Sequence, residues 1–319
     1  MLCLHLKNND PYFCLAAEEY LLKKFSDDIF MLWQSGNTVV VGKHQNALAE
    51  INYPYVHENN VRVARRISGG GTVFHDEGNV NFAYIKNVSS PAEINFKLFT
   101  RPIVDALKNL NIPVVVSDRN DLLVGDKKIS GNAEHVFKNR VLHHGTLLFN
   151  SDLEALGKAI QVAPGKYQGK AVQSNRSEVV NIRPFQNEIQ TIDEFKEYLI
   201  ACQLKNNENS FYELSEADLH NIRQQAEEKF HTWEWIFGYS PRYSFRNEQH
   251  LGIPLLGIGL EVNKGQIKAV TITGDYFPQH QAELISHALT GGRHSYDEIR
   301  DKLEELLFEV PKELVLAFF

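Results

Sequence analysis

Two short stretches of this 319-residue chain carry residue types suited to a phosphorylated ligand. The first is Arg65-Arg66-Ile67-Ser68-Gly69-Gly70-Gly71-Thr72-Val73-Phe74-His75-Asp76. Three consecutive glycines let backbone N–H groups approach an anion with no side chain in the way. An adjacent arginine offers a planar fork of donors matched to phosphate oxygens. Neighbours on a strand point to opposite faces, so one of Arg65 and Arg66 is expected to face the ligand. On spacing alone, a glycine-rich turn with two surface arginines explains the same residues equally well, because the run is neither a P-loop nor a GxGxxG fingerprint. The second stretch is Asp126-Lys127-Lys128-Ile129-Ser130-Gly131-Asn132-Ala133, in which two lysines open a strand that contains a close-approach glycine. A lysine held in a cleft can neutralise a carboxylate nucleophile and the α-phosphate it attacks, an effect worth about a few kcal/mol. A solvated strand end is the alternative, and spacing alone favours it.

His143 and His144 are adjacent, so on a strand they face opposite ways, and no further ligand follows at zinc-like spacing. Metal ligation by the pair is not expected. One of them is expected to face inward, either to hydrogen-bond a ligand or backbone group or as a satisfied core histidine. Trp33, at the end of an apolar strand, reads as core packing.

Several elements must position these residues. Apolar periodicity predicts a helix over about 15–25, and IFMLW and TVVVG read as strands flanking Gln34-Ser35-Gly36-Asn37, a tetrad that suggests a hairpin. A helix is expected near 55–59. VRVARRI is a strand running into the glycine run, and TVFHDEGNVNFAYI continues extended. A helix with a broad buried face spans 93–110, followed by short strands in PVVVS, DLLVG, KISGNAEHVF and VLHHGTLLF and a helix in DLEALGKAI. Residues 164–177 are basic, polar and aperiodic, and read as a mobile loop. Helices resume at IDEFKEYLIACQL and at Ser215, which has capping-box spacing to Asp218. Gly238, Pro241 and the polar RNEQH mark a domain boundary near 246. Beyond it a hairpin around Asn263-Lys264-Gly265 and two helices, QAELISHAL and DEIRDKLEELLF, make a small α+β domain. The expected division is therefore 1–246 and 247–319.

At about 150 residues per domain, this length accommodates one large and one small domain. The chain is 43% hydrophobic and 23% charged, which is enough to build a core. A net charge of -7 argues against nucleic acid as the partner. No apolar run approaches the roughly 18 residues of a membrane span, and the opening residues lack a signal-peptide pattern. Three widely spaced cysteines without a CxxC pair fit a reducing compartment, so a cytoplasmic, non-membrane protein is expected.

Taken in order, RRISGGGTVFHDEGN, NDLLVGDKKISGNA and HHGTLL make the sequence resemble the lipoate-protein ligase family, whose hallmarks are an RRxSGGGxVxHDxGN block and a KxSGxA lysine block. The likeness runs from PYFCLAAEE and LWQSGNTVVVGKHQN, through SNRSEVVNI, to WEWIFGYSP and a small C-terminal domain. It implies an α/β (α+β) fold. The catalytic domain would be a mixed β-sheet of the type shared by biotin/lipoate ligases and class II aminoacyl-tRNA synthetases.

The resemblance also implies two half-reactions. Lipoic acid and MgATP give lipoyl-AMP and pyrophosphate, and a lysine of a lipoyl domain of a 2-oxoacid dehydrogenase complex, or of glycine-cleavage H protein, then takes the acyl group. By the same resemblance Arg66, Gly71, Thr72, Val73 and Phe74 would hold the nucleotide, and Lys128 would bridge the lipoyl carboxyl and the α-phosphate. Glu18, Trp33, Gly70, His75 and His144 would line the lipoyl pocket with Lys128. Asp121 would lie near the nucleotide or its Mg²⁺. The loop with Lys166, Lys170 and Arg176 would close over the adenylate. Asn132 departs from the small Ser or Ala usual after KxSG, which bears on pocket shape and acceptor preference.

An ATP-independent octanoyl or lipoyl transferase of the same superfamily would need a cysteine nucleophile, and none of Cys3, Cys14 and Cys202 lies near HHGTLL or KISGNA. Biotin ligases are expected to carry a GRGRxG-like block, and SGGG is not that block. A non-catalytic binder of lipoylated proteins would not need phosphate ligands.

Overall fold

Helix Pro11–Lys24 starts where the Asp10 carboxylate accepts the Phe13 N–H at 2.8 Å, with Pro11 in the first turn, where a missing N–H costs nothing. Its sequence is apolar nearly all round, so the helix is buried, and it carries Glu18 and Glu19 inside with it. The protein is described by a computed structural model covering residues 1–90 and 93–319. The chain divides into two units, each with its own sheet system, in a mixed α/β architecture.

The first unit comprises Met1–Lys43, Arg62–Gly157 and Ser174–Thr232. Its main sheet runs in the spatial order Asn132–Phe137, Arg140–Leu148, Asn79–Asn87, Ile29–Trp33, Leu2–His5, Ser210–Phe211. The first four strands are antiparallel neighbours and the last two pairings are parallel. Helices Phe96–Asn109 and Ile192–Leu204 cover one face through a core that includes Phe82, Tyr84, Phe99, Ile103, Phe149 and Phe195. Helix Pro11–Lys24 packs against Asn79–Asn87 and Arg140–Leu148, and its Glu18 bonds Trp33 and His144. Alternation along the strands puts Trp33, Asn81 and His144 on one face, while Phe82, Tyr84 and His143 belong to the other.

Two three-stranded sheets complete this unit. In one, Thr38–Val41 lies between Arg62–Arg65 (parallel) and Val73–His75 (antiparallel). In the other, Val114–Val116, Leu122–Val124 and Lys127–Ser130 form an antiparallel ribbon.

The expected hairpin through residues 34–37 does not form. Ile29–Trp33 and Thr38–Val41 are wholly buried apolar runs, and each becomes an interior strand of a different sheet, with both edges taken by other partners. Likewise KISGNAEHVF divides at Gly131 into Lys127–Ser130 and Asn132–Phe137, which join different sheets. The helix expected over 93–110 is realised as Phe96–Asn109.

The second unit comprises His44–Val61, Lys158–Gln173 and Trp233–Phe319. Its antiparallel sheet orders Tyr167–Gly169, Tyr243–His250, Leu255–Asn263 and Gln266–Gly274. Part of the segment expected as an unpacked loop, Tyr167–Gly169, is therefore an edge strand, paired residue by residue with Tyr243–Phe245. The expected hairpin turn is made by Lys264 and Gly265, both at positive φ, a geometry that matches strand twist. Helices Gln279–Leu289, Tyr296–Glu304 and Lys312–Leu316 belong to this unit. Its interior is fastened by His294, whose ring bonds the Tyr243 hydroxyl at 2.8 Å and the Phe318 carbonyl at 2.6 Å.

One junction in the first unit fixes the end of the glycine-run segment. The Asp76 carboxylate accepts the N–H groups of Gly78 (2.9 Å) and Asp152 (2.6 Å), and the Gly78 carbonyl accepts those of Phe149 and Asn150. A Cβ on Gly78 would lie 2.1 Å from the Asn150 carbonyl oxygen, backbone that cannot swing aside. Gly78→Ala is therefore expected to lower stability by about 2 kcal/mol or more, read as the shift in urea midpoint at constant slope; an unchanged midpoint would mean that the junction is looser than described.

Candidate functional site

The site grows from a buried carboxylate. Glu18 is 1% exposed, and burying it without partners would cost several kcal/mol. The Trp33 indole N–H donates to its Oε1 at 3.0 Å, and His144 Nδ1 meets its Oε2 at 2.8 Å. On the other side of the ring, His144 Nε2 lies 2.6 Å from Ser68 Oγ, which also accepts Arg66 Nε–H at 3.0 Å. The proton arrangement that satisfies every group runs one way: Arg66 donates to Ser68, Ser68 to His144, and His144 to Glu18.

Arg66 then organises the glycine run. Its Nη2 donates to the carbonyls of Gly69 (2.6 Å) and Gly71 (2.7 Å), and its Nη1 donates to that of Val40 (3.2 Å). Burial lowers the guanidinium to about 10, with Glu18 pulling the other way, so it stays charged at neutral pH. Arg65 faces elsewhere and donates to the carbonyls of Gly42 and Lys43. The two arginines thus part to opposite sides, and Arg66 is the one that shapes the run. Gly70, at φ +85°, takes a conformation that glycine favours, and a Cβ there would meet Arg66 Nη2 at 3.1 Å and the Ala133 Cβ at 3.8 Å.

That approach brings the lysine segment to the glycine run. Ala133 is the cross-strand partner of His144, and Gly131 exchanges backbone contacts with Thr146: its N–H donates to Thr146 Oγ1 (3.3 Å) and its carbonyl accepts the Thr146 N–H (3.1 Å). Lys128 sits three residues earlier, on the strand Lys127–Ser130, with Nζ 2.9 Å from Asp121 Oδ1 and the two side chains 23% and 18% exposed. Its backbone is held by Glu178 and Val180. A Cβ on Gly131 would lie 2.9 Å from both Cε and Nζ of Lys128, so the glycine keeps room for the ammonium group. Lys128, Asp121, Gly70, His144, Ser68, Arg66, Glu18 and Trp33 therefore belong to one continuous constellation in the first unit.

The remaining expected residues take these places. Thr72 donates its N–H to Ser174 Oγ at 2.8 Å, and Gly71 packs against the same serine. Val73 and Phe74 lie on the strand paired with Val40 and Val39, and Phe74 is buried. His75 is 3% exposed, stands edge-on to the Trp33 ring at 5.3 Å, and binds Ser35 Oγ through Nδ1 at 3.2 Å. His143 lies on the opposite sheet face, stacked on Phe99 and bonded to Glu134 at 2.9 Å. In the second unit, Lys166 donates to the Phe319 carbonyl. Among the described residues no group of three or more His, Cys, Asp and Glu could hold a metal ion. Ser68, Thr146, Ser174, Asn79 and Asn81 were not singled out from the sequence. Ser68 could have been read from its place inside the RRxSGGG block, whereas the others depend on strand register.

Among known proteins, residues 10–203 match the family model for the lipoyl protein ligase A/B catalytic domain, and residues 240–311 match that for the bacterial lipoate protein ligase C-terminus. The lipoate–protein ligase 1 of Staphylococcus aureus is 38% identical over 298 residues, 93% of this chain and 91% of its own. The crystal structure of P. falciparum LipL1 in complex with lipoate superposes with a TM-score of 0.64 at 26% identity, covering 98% of this chain and 96% of that one. A lipoate-protein ligase A bound with ATP gives a TM-score of 0.63 at 26% identity, covering 75% and 98%.

Burial above all, then the charge of Arg66 and the proximity of His144, lowers the His75 imidazole from 6.5 to about 3. The unfolded chain takes up this proton near pH 6.5 and the folded chain only near 3. The contribution to stability is therefore complete above pH 6.5 and is lost as pH falls from there, by roughly 1.4 kcal/mol per unit. In urea unfolding followed from pH 7 to 5, His75→Gln is expected to flatten the profile by one proton's worth; an unaltered slope would place the titration on other groups.

Proposed function

The chain belongs to the lipoate-protein ligase family and is an enzyme of that kind, and from that premise we propose that it works through an acyl-adenylate. In the first step a carboxylate oxygen of lipoic acid attacks the α-phosphorus of MgATP. A new P–O bond forms, and the bond to the departing pyrophosphate breaks. In the second step the ε-amine of an acceptor lysine attacks the carbonyl of the mixed anhydride, and AMP leaves. The acceptors would be lipoyl domains of 2-oxoacid dehydrogenase complexes, glycine-cleavage H protein, or both. A chain segment up to about residue 246 would carry the catalysis and 247–319 would be accessory.

The observation that carries the reading is the placement of Lys128. Its ammonium group is held by Asp121 and cleared by Gly131, on the segment that reaches the glycine run through Ala133 and Gly70. A cation there would meet both the lipoyl carboxyl and the α-phosphate, and it would stabilise the charge that moves between them. Arg66, in this reading, holds the carbonyls of Gly69 and Gly71 and so shapes the backbone of Gly71, Thr72, Val73 and Phe74 along which the nucleotide would lie. Trp33, His75 and His144 would line the lipoyl slot, with Glu18 orienting the first and last of these. Mg²⁺ enters with ATP as part of the substrate. Such an ion keeps mostly phosphate and water ligands plus one or two carboxylates, and Asp121 is the carboxylate proposed for it.

A thioester route finds no support in the cysteines. Cys14 is fully buried and its thiol is pushed well up by burial and by the carboxylates of Asp10 and Glu18, the reverse of an activated nucleophile. All three thiols are free, which supports a reducing, cytoplasmic setting, and among the described residues no helix is long and apolar enough to cross a membrane.

Lipoate-dependent ATP–pyrophosphate exchange tests the assignment. Wild-type protein is expected to catalyse it, and Lys128→Ala is expected to lose about 100-fold or more with its fold intact. Gly131→Ala, which crowds only the flexible end of Lys128, is expected to lose activity in the same direction with little change in thermal midpoint. Full exchange in folded Lys128→Ala would remove the proposed role.

A further inference from the structure

Around Trp33, three buried polar atoms have no hydrogen-bond partner among the described residues: His75 Nε2, Asn79 Oδ1 and Asn81 Nδ2. Leaving such an atom unmet costs about 1–3 kcal/mol, so a cluster of them points to a group that arrives from outside the fold. Asn79 is 0% and Asn81 3% exposed, and they bond each other only once, Asn79 Nδ2 to Asn81 Oδ1 at 3.1 Å, which leaves an acceptor on one and a donor on the other.

Strand register fixes where Asn81 stands. It is the cross-strand partner of Trp33 on one side and of Thr146 on the other, so the three side chains share one face. Thr146 in turn bonds Gly131, the glycine that clears the Lys128 ammonium. An acyl chain whose carboxyl meets Lys128 would therefore cross Thr146, then Asn81, and end at Trp33. The strands of Thr146 and Trp33 are two spacings apart, about 10 Å, comparable with the extended length of lipoate's chain. Asn81 is the direct cross-strand neighbour of Trp33, where the chain would end, so its amide stands beside the part of the slot that would take lipoate's two ring sulfurs.

On the ligase reading given above, we propose that Asn81, braced by Asn79, makes this site prefer a sulfur-bearing acyl chain over a plain saturated chain of the same length. A ring sulfur is a weak acceptor and can take the Asn81 N–H, whereas a methylene cannot and leaves that donor orphaned. Sites built around a buried polar group discriminate against ligands that fail to meet it. The slot is accordingly a sulfur-reading one as well as an apolar one.

The test compares lipoate with octanoate in ATP–pyrophosphate exchange, for wild-type protein, Asn81→Leu and the smaller Asn81→Ala, with thermal unfolding as the check on folding. Wild-type protein is expected to favour lipoate. In either variant that folds, kcat/KM for lipoate is expected to drop about five- to tenfold more than that for octanoate. A parallel fall for both acids would assign Asn81 a packing role only and overturn the proposal, as would an unchanged ratio or a wild-type protein indifferent to sulfur. Absence of exchange with either acid in wild-type protein would instead overturn the ligase reading beneath it.

Discussion

One of the two carboxylates buried in helix Pro11–Lys24, that of Glu18, sets the terms for the rest of the site. Glu18 cannot remain there without donors, and the two it finds come from a strand 15 residues on and from another 126 residues on. Those bonds fix the Trp33 ring and the His144 imidazole. Through Ser68 they reach Arg66, whose guanidinium gathers the carbonyls of the glycine run. The helix, the main sheet and the loop are thereby registered against one another by hydrogen bonds that all have partners, and such fully satisfied networks favour a single arrangement. Arg66 is thus at once the counter-charge to Glu18 and the former of the loop, and the seat proposed for the nucleotide phosphates would need little reorganisation.

The second organising feature is economy of space around Lys128. A glycine stands where any side chain would push the ammonium group away, and a carboxylate at 2.9 Å keeps it from straying. The pair is partly exposed, so Asp121 can give up the ammonium group to a ligand at modest expense, unlike a deeply buried partner. Asp76 and Gly78 do comparable work for the glycine-run strand, since the HDEGN turn is locked to residues 149–152 and holds His75 beside Trp33.

Much of this was legible in the sequence, for identifiable reasons. The helices at 11–24 and 192–204 and the Ser215 capping box carry their own caps and periodicity, and the Lys264-Gly265 turn carries its own φ preference. The glycine run and the lysine block were visible because their residues are contiguous. The hairpin expected at residues 34–37 failed because turn chemistry is local whereas partner choice is not. Two fully buried strands each needed two neighbours, and those lie elsewhere in the chain. The edge strand at 167–169 was missed because three residues in a polar stretch have no detectable period, and their pairing depends on a strand more than seventy residues later. The Glu18–His144–Ser68 chain and the place of Asn81 beside Trp33 are likewise matters of register. A sequence read without its pairings holds each residue but not the line they form.

Lys128 and the glycine run are proposed to act together on an acyl-adenylate whose acyl group is then passed to a lysine. Intact-mass measurement of a purified lipoyl acceptor domain, incubated with the enzyme, tests this most directly. The domain is expected to gain the mass of one lipoyl group when lipoate and MgATP are both present, and nothing when either is omitted. A lipoyl adduct that forms equally well without ATP, or no adduct with both substrates supplied, would contradict it.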